Sequence, residues 1–456
     1  MPVIPQPETS HHDAPGRAPQ GKKGRGKAEA KPAAKGGLSP LALGLVFAAL
    51  MTTAAGGNAL VTVMPAIGRE IGVSDTLIAS VFSLSALFWT LTSPFWAEQS
   101  DRRGRKPMII LGLAGFTVSM LLFGIVVLAG LAKLAVPMAI LAGMATARSV
   151  YGLIGAAANP AAQAYVADRT SRHQRTGSMA LLASAFGLGT IVGPALAPFF
   201  VLPGVGLAGP MFAFAAVGGT VMVLIWRFLP HGDFKPTAQG KRPTEAAAPT
   251  KAIWRDPRVM PFLIYGLIMG SAQALNTQVL GFHIIDALGE SPAKAQAFIG
   301  IAMFAGAGAA LIAQWGLIRM LDLGPKELIR YGAMLAGLGN VLLMVAPNYY
   351  SVVIGYALVS LGFGFTRPGF TAGASLAVKA HEQGAVAGVV AAINGACWLV
   401  APVLGVALYE WKGFAPYLMN LVALLGLVGF AYADRTLKAA GVVAVETSAP
   451  NPGAPV

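Results

Sequence analysis

Charge is scarce in this chain, and cysteine is nearly absent. Charged residues fill 11% of the 456 positions, where a soluble domain carries about 25%. That scarcity excludes an ordinary water-exposed surface. The single cysteine, Cys397, excludes an internal disulfide and a cysteine-held metal cluster. It reads as a small buried apolar residue. The strict apolar/polar alternation of an outer-membrane barrel is missing. So are H-E-x-x-H, G-x-S-x-G and paired carboxylates inside apolar runs, which argues against an enzyme. A channel would need repeated filter loops or charged rings, and neither is present.

What fills the chain is apolar: 55% hydrophobic residues, with a mean hydropathy of +0.64. In lipid, a helix satisfies its own backbone polar groups, and about 20 residues cross a hydrocarbon core of roughly 30 Å. Apolar runs of that scale cover 41–64, 76–97, 108–130, 136–166, 176–200, 210–229, 260–285, 293–318, 327–346, 351–378, 385–409 and 415–433. The expected fold is an all-α polytopic membrane protein of about 12 helices. A polar, proline-containing stretch, 230–258, separates two sets of six, residues 39–229 and 259–435. Residues 1–38 read as a disordered basic tail and not a signal peptide, because the first apolar run begins too far in. Lys22, Lys23, Arg25 and Lys27 could meet anionic lipid, although a solvated tail is the simpler reading. Residues 436–456 form a second tail.

The net charge of +14 could suggest nucleic acid, but its placement does not. If both termini lie in the cytoplasm, only Arg69, Lys133, Lys294 and Lys412 fall outside, and Arg148 and Arg367 fall within spans. The remaining basic residues all lie inside. That is the positive-inside pattern of a multi-pass inner-membrane protein.

The two halves repeat. Pro160 and Pro368, Gly187 and Gly395, and Pro194 and Pro402 share one spacing; Gly72 and Ser74 match Gly289 and Ser291 at another. Two similar six-helix halves are a common transporter plan, with substrate bound between them near the bilayer midplane.

Three motifs point to a family. After the second span comes "AEQSDRRGRK", in which Asp101, Arg102, Gly104, Arg105 and Lys106 surround a tight turn. The fourth span holds Arg148 in "ARSVYG", and an arginine at mid-membrane must face protein or water. The fifth span holds "GLGTIVGPALAP", with Gly189, Gly193 and Pro194 spaced for close helix contact and a bend. With these motifs, the chain resembles the major facilitator superfamily across roughly residues 40–435. Within it, the chain resembles the bacterial 12-helix drug:proton antiporters, the group that includes tetracycline and multidrug exporters. Ala97, Gln99, Tyr151, Ala197 and Pro198 depart from the family patterns.

The resemblance implies several roles. The Asp101–Lys106 cluster would latch the halves when the transporter opens outward. Arg148 would hydrogen-bond the first helix and take part in proton movement, or simply hold helices together. The fifth-span motif would mark an exporter. The first, fourth, seventh and tenth helices would line a cavity with Asn58, Tyr151, Gln273, Asn276 and Arg367, and the eleventh would add Asn394 and Trp398. For each amide, an interhelical hydrogen bond is an equal alternative.

Many relatives carry a carboxylate in the first helix, where this chain has only Asn58. No acidic residue falls near mid-membrane. His283 and Asp286 are the first candidates to carry a coupling proton, though Asp286 also fits a helix-ending role. The expected function is proton-coupled export of small amphiphilic or drug-like compounds by a monomer in lipid, with no cofactor, no metal and no nucleic-acid partner. The alternative is an importer or facilitator of a small metabolite.

Overall fold

The computed structural model describes residues 38–170, 172–230, 253–378 and 382–440. The greater part of both expected tails and of the central linker, including Lys22, Lys23, Arg25 and Lys27, lies outside the described residues. Twelve long helices account for the expected spans: α1 (Pro40–Ile71), α2 (Asp75–Arg103), α3 (Arg105–Leu131), α4 (Pro137–Arg169), α5 (Arg172–Leu196) and α6 (Gly209–Phe228), then α7 (Met260–Leu288), α8 (Pro292–Met320), α9 (Pro325–Val345), α10 (Tyr349–Leu376), α11 (Gln383–Trp411) and α12 (Ala415–Ala433). Among the described residues, 11 helices are long and apolar enough to cross a membrane. The one that falls short is α7, whose hydropathy is lowered by Gln273, Asn276, Thr277, Gln278 and His283.

The helices run up and down between two ends. The basic end carries the Asp101–Lys106 turn and both limits of the described chain; the far end carries the α1–α2 and α7–α8 turns. Turn chemistry follows the sequence. Gly104 sits at φ +98° between α2 and α3, a backbone region that side chains avoid. Gly72 and Gly289, the repeat-related pair, end α1 and α7 at φ +81° and +62°.

Helix α1 is the centre of the first half. Val46, Val63, Met64 and Ile67 are fully enclosed, and a Cβ on Gly56 would collide with Phe116 of α3. Its tightest neighbour is α5. A Cβ on Gly189 would lie 2.6 Å from the Met51 carbonyl oxygen, and one on Gly193 would lie 2.1 Å from that of Ala55. The fifth-span motif therefore brings two backbones together as small-residue spacing allows. The other side of α5 meets the second half, where a Cβ on Gly300 of α8 would strike Pro198 and the Pro194 carbonyl oxygen. Between the halves, α2 packs along α11, α5 against α8, and α1 against α7 and α8.

Gly193→Ala should therefore destabilise the purified protein by about 1–3 kcal/mol, the usual cost of overpacking. Gly187→Ala on the same helix meets open space and should be neutral or slightly stabilising. Melting of the two variants in detergent, side by side, checks the contrast.

Candidate functional site

At the far end, three charged groups join the halves. Arg69, near the end of α1, donates to Asp75 of α2 at 2.8 Å (Nη2 to Oδ2) and 3.2 Å (Nε to Oδ1). Its guanidinium also reaches Asp286, near the end of α7, with Nη2 3.2 Å from Oδ2 and Nη1 bonded to Oδ1. Tyr409 of α11 donates to the Asp286 carboxylate at 2.8 Å. The Arg69 guanidinium lies 5.6 Å from the Phe282 ring centre. Beside this cluster, the Thr76 backbone N–H donates to Glu410 at 3.2 Å, and its hydroxyl bonds the same carboxylate. Below, the Thr62 hydroxyl meets the Met303 sulfur at 3.0 Å, and Pro65 fills the space over Gly281. Among the described residues, side-chain bonds between the halves gather at this end.

At the basic end the predicted cluster forms, but within one half. Arg105 pairs with Asp101 and, at 3.0 Å, with Asp168 at the end of α4. Arg102 pairs with Glu98 one turn away. The Lys106 ammonium is buried and donates to the Leu229 and Trp226 carbonyl oxygens at 2.6 and 2.8 Å, where α6 ends. Cations favour that end of a helix. In the second half, Arg258 joins Asp256 at 2.7 Å and Glu382 at 3.2 Å. The Arg258 guanidinium holds the Asp256 carboxyl below the usual range.

The middle of the first half holds Arg148, 7% exposed. Its guanidinium lies 4.6 Å from the Tyr151 ring centre and 5.6 Å from that of Phe82. Trp89 and Phe116 flank Tyr151, with ring centres 5.2 and 5.7 Å away. The expected hydrogen bond to the first helix is not formed; the cation rests on rings, and Nε and Nη1 are buried with no protein acceptor. The arrangement follows from Tyr151, one turn along α4 where the family pattern has glutamine. Its ring takes the place of an acceptor, and such stacking stabilises by about 0.5–2 kcal/mol.

The other predicted residues are more scattered. Asn58 donates within its own helix, to the Ala54 carbonyl oxygen at 2.8 Å. Gln273, Asn394 and Trp398 are half-buried. Asn276, expected at the cavity surface, is 1% exposed, and neither side-chain atom has a partner. Gln278 and Gln296 are enclosed in the same way. Arg367 is exposed on α10. His283 and Asp286, expected as a coupling pair, have separate partners: the His283 Nδ1 bonds the Tyr417 hydroxyl at 2.6 Å, while Asp286 is held by Arg69 and Tyr409. Cys397 is buried as expected, its sulfur 3.4 Å from the Leu267 carbonyl oxygen. An apolar crevice of about 120 Å³ opens between α1, α5 and α6, beside Met51, Val192 and Phe214, all within the first half.

Sequence reasoning missed the far-end cluster. A signal for it exists. The 217-residue offset between Gly72 and Gly289 also relates Arg69 to Asp286. Equivalent positions in a two-fold repeat meet near its axis, and here they carry opposite charge.

The comparisons agree with this architecture. Residues 45–402 match the Major Facilitator Superfamily. Multidrug resistance protein 2 of Bacillus subtilis is 26% identical, over 81% of this chain and 89% of its own length. Tetracycline resistance protein, class C, of Escherichia coli is 25% identical, over 82% and 92%. A solved bacterial homologue of the human lysosomal transporter Spinster, in an inward-facing and unoccupied conformation, superposes with a TM-score of 0.62 at 14% identity, over 86% of this chain and 95% of its own. With twelve helices in two halves and the motif residues in place, the chain belongs to the major facilitator superfamily, a family of membrane carriers rather than enzymes.

Proposed function

We propose that the protein exports small amphiphilic or drug-like compounds across the bacterial inner membrane by alternating access, driven by the proton gradient. The observation that supports this most is the unequal seam between the halves. The far end is bonded across by Arg69, Asp286, Thr76 and Glu410, while the charged turn at the basic end is bonded within the first half. One end held shut and the other released is one of the two states that alternating access requires. The excess of basic residues at the released end supports a cytoplasmic position for it and for both termini. The expected latch at Asp101–Lys106 would then engage in the opposite state. Export is favoured by the tight α1–α5 contact at Gly189 and Gly193 and by relatives named for drug resistance. The carrier works as a monomer in lipid, with no cofactor beyond the ion gradient.

Coupling falls to the far-end cluster in this reading. Asp75 and Asp286 share one arginine, so a proton on Asp286 removes a charge that holds the halves together. His283 stays with Tyr417, outside that exchange. The importer alternative is favoured by one observation, the lack of any acidic residue near mid-membrane.

Everted vesicles should accumulate a fluorescent drug in proportion to an imposed pH gradient; uptake independent of that gradient would favour the alternative. Asp101→Asn should insert normally yet transport at least about tenfold more slowly, because Arg105 loses one of its two carboxylates. Normal transport at normal expression would remove the latch from the mechanism. Asp286→Asn should retain exchange of substrate across the membrane but lose its response to pH, which a pH series of counterflow rates would show. The double variant Thr76→Cys with Glu410→Cys should be bridged by a short bis-methanethiosulfonate linker and stop transport until reduced. Failure to cross-link, with both thiols present, would mean the far end is not closed in the membrane.

A further inference from the structure

We infer that the carrier's substrate is an organic anion, a carboxylate or sulfonate on an aromatic or otherwise apolar body. The inference rests on reading the protein as a small-molecule carrier, and it fixes the charge of what is carried. Two observations converge. Arg148 is more than nine-tenths buried, and its Nε and Nη1 hydrogens have no acceptor. Its surroundings are rings: Phe82, Tyr151 and, behind them, Trp89. A cation so placed lacks a counter-charge among the described residues, because every acidic residue of the described helices lies near an end.

Arg367 is the second observation. It lies three turns from Tyr356 on the same face of α10. Tyr356 approaches Thr277 of α7 at 3.5 Å and leaves no room for a Cβ on Gly306 of α8. Arg367 therefore points inward, away from the exposed Ile354, yet it is itself exposed and bonds no carboxylate. Moving from the basic end inward, a ligand meets Arg367 and then the ring-covered Arg148. Two positive charges in this order draw anions and repel cations. At the inner charge, Tyr151 and Trp89, both half-exposed, give an apolar body a surface, and a turn of the Tyr151 ring frees the guanidinium for a planar oxyanion.

The test uses purified full-length protein and three probes on one frame: 2-naphthoate, 2-naphthamide and 2-naphthyltrimethylammonium. Tryptophan fluorescence and melting temperature report binding, independently of transport direction or coupling. 2-Naphthoate should bind at least about tenfold tighter than either companion, the range expected for a charge-assisted hydrogen bond. Arg148→Lys should keep part of that preference and Arg148→Gln should lose it, each checked for an intact melting transition. Arg367→Gln should weaken 2-naphthoate alone. Equal affinity for the three probes, preference for the ammonium compound, or no 2-naphthoate binding would each overturn the inference. Binding of 2-naphthoate without export in everted vesicles would keep the anion site and remove the exporter reading.

Discussion

The cost of a charge away from water governs this molecule. In a chain that is 11% charged, the described helices keep nearly all of their charge near their ends, where water or an opposite charge is within reach. Both ends use the same device, one arginine between two aspartates. At the far end it is Arg69 between Asp75 and Asp286; at the basic end it is Arg105 between Asp101 and Asp168. The arginine fork can serve two carboxylates at once. The difference lies in whose carboxylates they are. Asp286 belongs to the other half of the molecule, whereas Asp101 and Asp168 belong to the same half as Arg105. Among the described residues, the same chemistry therefore bonds the halves together at one end and stays within one half at the other.

Breaking any one of these pairs costs little. Exposed ion pairs are individually weak, with a median of about 0–1 kcal/mol. Asp101 and Asp286 are both substantially exposed, at 60% and 47% of the side chain. A strong buried bridge would fix one state. Under the alternating-access proposal, weak pairs at each end would let the halves rock with a small difference between states.

Much of this was legible in the sequence, and the limits were physical. Span positions follow from hydropathy, and all twelve helices overlap their expected runs. The Asp101–Arg105 pair is local, four residues apart on neighbouring turns, so its formation could be anticipated. Gly189 and Gly193 announced a close contact, although not that α1 would be the partner. What could not be read directly was any pairing across the halves. Asp286 looked like a helix-ending residue or a partner for His283, three positions away, because sequence nearness was the only guide. The fold gave it Arg69 instead, through the repeat symmetry. Arg148 showed the opposite failure. The resemblance implied a hydrogen bond to the first helix, and Arg148 instead stacks on the Tyr151 ring of its own helix.

The repeat also shows where the two halves have diverged. At the offset that pairs Pro160 with Pro368, Arg148 corresponds to Tyr356 and Asn159 to Arg367. Each half thus contributes one arginine to the interior, but at different depths: one near the middle of α4, the other three turns closer to the basic end on α10. Symmetric placement would have set two like charges at one level, where their repulsion in a poorly solvated space is largest. Staggered, they repel less. The neighbours are staggered as well. Tyr356 faces helices of its own half, with Thr277 for company, while Arg148 lies under Tyr151 and Phe82. If the substrate is an anion, the second half would supply the entrance charge and the first half the terminal one, so a bound ligand would touch both halves and give each a reason to move with the other.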